Sequence, residues 1–64
     1  MNRMDELRRI VAEHEAATVD GVVVDVQSAN AILTVYEALD NEQRMMYLTV
    51  DVARMARIAW RLVQ

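Results

Sequence analysis

The chain has 64 residues, with ten acidic groups against seven basic ones, and a net charge of −3. Its residues are 55% apolar, and Cys and Pro are absent. These figures exclude a disulfide scaffold, a thiolate metal site, a cysteine nucleophile and a disordered tail, and an acidic balance weighs against a protein that coats nucleic acid.

Residues 3–17 read as a first helix. Asn2 suits the N-cap, and Asp5 and Glu6 fall in the first turn, where the helix dipole favours acids. At helical spacing Met4, Leu7, Ile10, Val11, His14 and Ala17 share one apolar face. Residues 18–25 break the pattern. Asp20-Gly21 is a turn signal, and Gly21 is the only glycine. Val22, Val23 and Val24 are β-branched and have two readings. They form a short strand whose partner is the same segment of another subunit, or an extended linker that plugs its valines into a helical core.

A second helix is expected over residues 26–39 with Asp25 as N-cap. Ala29, Ile32, Leu33, Val35, Tyr36 and Leu39 line its apolar face, and Glu37 is its only charge. A helix with so little charge is central or covered by a partner. Its small residues Ala31, Thr34 and Ala38 form a stripe that would admit another helix, so they are candidates for self-association together with Val22, Val23 and Val24. Asp40 and Gln43 make a capping box for a short third helix over residues 41–48. That helix ends in Met45-Met46-Tyr47-Leu48, four apolar residues that cannot all face one side. Either two are exposed or both sides are covered. Thr49 then caps a fourth helix over residues 50–63, with Val52, Met55, Ala56, Ala59, Leu62 and Val63 inward. Arg54, Arg57 and Arg61 fall within about 60° of one another on the opposite face, flanked by Trp60.

The fold class that follows is all-α: a compact bundle of four helices, the third short, in one domain over residues 1–64, with an extended Val-rich segment between helices 1 and 2. The expected core is Leu7, Ile10, Val11, Ile32, Leu33, Tyr36, Leu39, Leu48, Val52, Met55, Ala59 and Leu62. A domain this small buries only about 60% of the surface its unfolded chain exposes. It nevertheless holds 26 large apolar or aromatic residues. That surplus points to a homo-oligomer.

No catalytic, cofactor-binding or metal-binding set is expected. The chain has one Ser and one His, Ser28 and His14, with no glycine-rich turn to expose a nucleophile. A lone His has no second soft ligand within the chain, and on an apolar face it is an interface or boundary residue. The sharpest candidate is the stripe Arg54, Arg57 and Arg61 beside Trp60. It reads as a surface for a protein partner. Alternatively it reads as the reader of a helix-turn-helix-like nucleic-acid binder, though Asp51 sits at the end that would enter the groove. The plainest alternative is a solvated face with a cation–π contact to Trp60. No run of about 18 apolar residues is present to span a bilayer, and the charged first twenty residues are unlike a secretory signal, so a cytoplasmic protein is expected.

The stretch Val24-Asp25-Val26-Gln27-Ser28-Ala29-Asn30-Ala31-Ile32, continuing through Val35-Tyr36-Glu37-Ala38-Leu39, resembles small hypothetical proteins encoded by bacteriophages of GC-rich actinobacterial hosts. So does the end, Arg54-Met55-Ala56-Arg57-Ile58-Ala59-Trp60-Arg61-Leu62-Val63. The use of Arg without Lys agrees with such a source. The resemblance brings no catalytic motif. It implies a short phage product acting in a bacterial host cell, where binding a host protein is the leading expectation. A structural assembly subunit is the remaining alternative.

Overall fold

Four helices and one β-hairpin follow one another along the chain in a computed structural model that describes residues 2–63. They are α1 (Arg3–Glu13), β1 (Ala17–Val19), β2 (Val22–Val24), α2 (Val26–Ala38), α3 (Asn41–Tyr47) and α4 (Val52–Val63). The molecule is mostly helical, and the hairpin means that it is not purely all-α.

Helix α1 starts as its sequence dictates: the Asp5 amide donates to Asn2 Oδ1 at 2.9 Å. It stops four residues before the expected end. His14 turns into the left-handed region at φ 53°, and the Glu15 amide donates back to Ile10 O at 3.2 Å. This is the closing geometry of a Schellman motif, made here without glycine. His14 is therefore exposed at the helix end and is not on the apolar face. The residues released by this early stop, Ala17 among them, become β1.

The valine segment is a strand, and its partner lies in the same chain. Ala17 pairs with Val24, Thr18 with Val23 and Val19 with Val22, all antiparallel. The turn is Asp20-Gly21, with φ of 53° and 75°. Two positive φ values are what a tight hairpin of this twist requires, and Asp-Gly supplies them at least cost. Val19 and Val24 are buried, and the hairpin closes over α1 with that face. Both the linker reading and pairing with another subunit are thereby corrected for this segment.

Helix α2 is the central element and packs against α1 and α4. The Ser28 amide donates to the Asp25 carboxylate at 2.7 Å, which caps the helix and holds that carboxyl below its usual range. Ala29, Ile32, Val35 and Ala31 are all buried. At 100° per residue they span an arc too broad for a single neighbour, so two helices cover α2. Helix α3 carries the expected capping box: the Gln43 amide donates to Asp40 Oδ1 at 2.8 Å, and the Asp40 amide to Gln43 Oε1 at 3.1 Å. Helix α4 is capped by Asp51 and not by Thr49. The Arg54 amide donates to Asp51 Oδ1 at 2.8 Å, whereas the Thr49 hydroxyl donates to Met46 O at the end of α3.

The core comprises Met4, Leu7, Ile10, Val19, Val24, Ala29, Ala31, Ile32, Val35, Tyr47, Val52, Met55 and Ala59. Of the expected core, Val11, Leu33, Tyr36, Leu39 and Leu48 are half-buried around it, and Leu62 is 64% exposed. Leu62 shares a side of α4 with the core residues, but it lies in the last turns, at a rim that no other element covers. Tyr47 is buried, and its hydroxyl donates to Met55 O at 2.7 Å, joining α3 to α4. Burial pushes that hydroxyl up to about 12.

Arg3 fastens three elements together. Its guanidinium donates to Val50 O at 2.7 Å and to Leu48 O in the α3–α4 connection, and it pairs with Asp20 of the hairpin turn at 3.1 Å. Arg44 closes the end of α2 by donating to Tyr36 O at 2.9 Å and Glu37 O at 3.1 Å, with its guanidinium 4.9 Å from the Tyr36 ring centre. None of the described helices is long and apolar enough to cross a membrane.

Candidate functional site

The seven arginines divide into two groups. Arg3 and Arg44 are tied to backbone carbonyls, and Arg8 and Arg9 pair with Asp5 and Glu13 on α1. Arg54, Arg57 and Arg61 have no carboxylate partner and no side-chain hydrogen bond among the described residues. All three are exposed, and all three are on α4. Their spacing places them on one side of that helix because the inward side is occupied by Val52, Met55 and Ala59. A guanidinium without an internal partner keeps its full capacity for carboxylate or phosphate.

Trp60 is 38% exposed. Its indole N–H points to Ser28 Oγ at 3.4 Å, so the ring is tied to α2. The expected cation–π contact at Trp60 is not formed. Among the described residues, that interaction belongs to Arg44 and Tyr36. Trp60 thus marks the edge of the Arg face toward α2.

On the other flank of the Arg face lies an apolar groove of about 310 Å³. Buried Val35 of α2 and Tyr47 of α3 form its floor, and half-buried Leu39 and Ile58 its sides. Met46 of α3, 69% exposed, and Leu62 of α4 form its rim. Among the described residues, Gln43 is the one polar side chain at its edge apart from the Tyr47 hydroxyl, which is already engaged. The four-residue apolar run in α3 resolves as two exposed residues, Met45 and Met46, with Tyr47 buried and Leu48 half-buried. The groove needs residues from α2, α3 and α4, and no single segment of sequence displays it.

The candidate self-association residues do not form one patch. Val22 and Val23 are exposed on the hairpin, the latter at 73%. Val24 is buried beneath them. Ala31 is buried at 6% exposure and lies beside Trp60 and Val63 of α4. The helix admitted by its small side chain is therefore α4 of the same chain. Thr34 and Ala38 are exposed, with the Thr34 hydroxyl donating to Asn30 O at 2.8 Å.

A second hollow of about 490 Å³ lies between α1 and the hairpin. Glu6, Arg9, Glu13 and Glu15 line it, and Arg9 and Glu13 satisfy each other at 3.2 Å. Among the described residues there is no group of three or more His, Asp or Glu side chains placed to hold a metal ion. Comparison with protein families, with curated proteins and with solved structures finds no match to this chain.

Proposed function

We propose that this chain is a non-catalytic interaction protein that binds another protein through the outward face of α4. The observation that carries the reading is the division of the arginines. The fold uses four of them and leaves Arg54, Arg57 and Arg61 together, exposed and without a partner among the described residues, beside an apolar groove. Aligned charge next to uncovered apolar surface is the composition of a recognition patch: apolar area supplies affinity and the charges set the partner and the approach. The resemblance to phage proteins makes a host-cell protein the partner class, and the bacterial cytoplasm the place. Self-association is the second part of the reading, and exposed Val22 and Val23 at the hairpin support it.

The same three arginines support nucleic-acid binding as the second reading. Three phosphate contacts would give a slope of about −3 in log affinity against log salt. The net charge of −3 and the Asp51 carboxylate at the start of α4 weigh against it.

Affinity capture from an actinobacterial lysate, with and without nuclease, separates the two. The wild-type chain is compared with the triple variant Arg54→Glu, Arg57→Glu, Arg61→Glu. A protein captured by the wild type after nuclease, and lost with the variant, supports the reading. Capture that vanishes with nuclease transfers it to nucleic acid. Capture equal for both chains overturns the role of α4. Sedimentation of wild type and Val23→Asp reads the oligomer, and a monomeric wild type removes that part.

A further inference from the structure

We infer that the groove between α3 and α4 takes an amphipathic helix of the partner, with an apolar stripe seated between Met46 and Leu62 and carboxylates along the flank that meets Arg54, Arg57 and Arg61. This rests on the reading of α4 as a protein-binding face and names what that face recognises.

The lining of the groove decides the kind of occupant. Its walls are mostly helix, with backbone groups bonded within each helix; at Leu39 and Val50, in the connections, the amides donate to Tyr36 O and Tyr47 O, and Val50 O accepts from Arg3. An extended peptide lying there would find no strand edge to pair with, and its own backbone would lose water without replacement. A helix brings its backbone satisfied, which makes helix-in-groove the mode that fits. The few polar atoms at the edge offer little to a polar small molecule. Met46 at the rim is unbranched and adaptable, which suits a surface that closes on another helix.

Charge decides which helix. Ile58 and Leu62 are four residues apart and form one row along α4. Arg54 stands four residues before Ile58 and Arg61 three after it, so both border that row on its outward side. Arg57 lies next to them, farther from the groove. From Arg54 to Arg61 the rise along the helix is about 10 Å, or two turns. A partner helix lying alongside therefore meets these arginines with Asp or Glu spaced over two turns on one flank, and fills the groove with apolar residues at i, i+3 or i+4, and i+7.

A second copy of this chain does not have such a helix. Among the described residues its exposed large apolar ones are Val22, Val23, Met45, Met46, Trp60, Leu62 and Val63, on the hairpin, α3 and α4, and α3 with 7 residues is too short for a stripe from i to i+7. The exposed sides of α1 and α2 offer none. A copy that presented its own α4 would set arginine against arginine.

The test uses the full chain and a fluorescein-labelled helical peptide of about four turns, carrying Leu at the stripe positions and Glu on one flank. Anisotropy is followed for this peptide, for one with Lys in place of Glu, and for one with Ser in place of Leu. The Glu peptide should bind. The Lys and Ser peptides should each bind at least about tenfold more weakly. Leu62→Asp, at an exposed position, should abolish binding with the circular dichroism unchanged. Arg54→Glu with Arg61→Glu should weaken the Glu peptide and strengthen the Lys peptide. Equal binding of Glu and Lys peptides, no binding of the Glu peptide at millimolar concentration, or indifference to Leu62→Asp overturns the inference. Preference for anionic vesicles over the Glu peptide would overturn it too. Failure here, with lysate capture still lost on charge reversal of α4, sinks the helix-in-groove assignment alone. Failure of both sinks the reading on which it rests.

Discussion

Replacing Arg3 with Ala should cost far more stability than a change at Arg8, Arg9, Arg54, Arg57 or Arg61, none of whose side chains donates to a backbone carbonyl among the described residues. The Arg3 guanidinium donates to two backbone carbonyls, Val50 O and Leu48 O, and pairs with Asp20; the side chain is 23% exposed. The Asp20 pair is close to the surface and contributes between zero and about 1 kcal/mol. The two carbonyls matter more, because removing the donor leaves part-buried acceptors unmatched at about 1–3 kcal/mol each. A total loss of about 3 kcal/mol follows from these magnitudes. The native state has little to spare: at 0.05–0.15 kcal/mol per residue, its 64 residues give a total of about 3–10 kcal/mol. In urea, with a slope of about 1 kcal/mol/M for so small a domain, the midpoint of Arg3→Ala should fall by about 3 M. Asp20→Asn should shift it by less than about 1 M, which isolates the surface pair from the carbonyl contacts. Arg3→Lys should fall between them, since an ammonium is a point donor without the planar fork that reaches both carbonyls. Circular dichroism at 222 nm follows the transition. Arg3→Ala within about 0.5 kcal/mol of wild type would refute the argument that this side chain fixes the α3–α4 connection, and with it the spacing of the groove walls.

Tyr47 makes stability fall in alkali. Its hydroxyl is neutral in the fold up to about 12 against an ordinary value of 10.0, so its contribution is complete below pH 10 and is lost as the pH rises toward 12. Tyr47→Phe should lose that part of the slope in alkaline melts while costing about 1 kcal/mol at pH 7 through the lost bond to Met55 O. Ala31→Arg should unfold the chain, because it forces a charge between α2 and α4, whereas Thr34→Arg at an exposed position should melt as wild type does. Leu62→Ser should leave the thermal midpoint within about 2–4 °C of wild type, since a residue 64% exposed has little burial to lose; a large fall would return Leu62 to the core.

What was legible in the sequence was mostly short-range. Asn2, Asp25 and Asp40 cap as expected because each makes its bond three residues away. The sparse charge of α2 announced its central place. The end of α1 was hidden because the stop at His14 uses no glycine, proline or asparagine, and Ala16-Ala17 continue the helical pattern without interruption. That one concealment also hid the hairpin, whose first strand is made from the residues α1 gives up. Thr49 and Asp51 compete as caps two residues apart, and the Thr49 hydroxyl is taken by Met46 O. A helical wheel put Leu62 on the inward side of α4, but periodicity does not say where the neighbouring helices end. The Arg face was readable because one helix makes it. The groove and the Arg3 fastening depend on how separate elements meet, and spacing along the chain holds no trace of them.

Site-specific photocrosslinking in an actinobacterial cell tests directly whether α4 meets a protein partner. Benzoylphenylalanine is placed at Arg57, at Leu62 or, for comparison, at Glu13 on α1, and adducts are resolved by mass. One protein adduct is expected from Arg57 and the same one from Leu62, with none from Glu13. Adducts from Glu13 with α4 silent would contradict binding through α4.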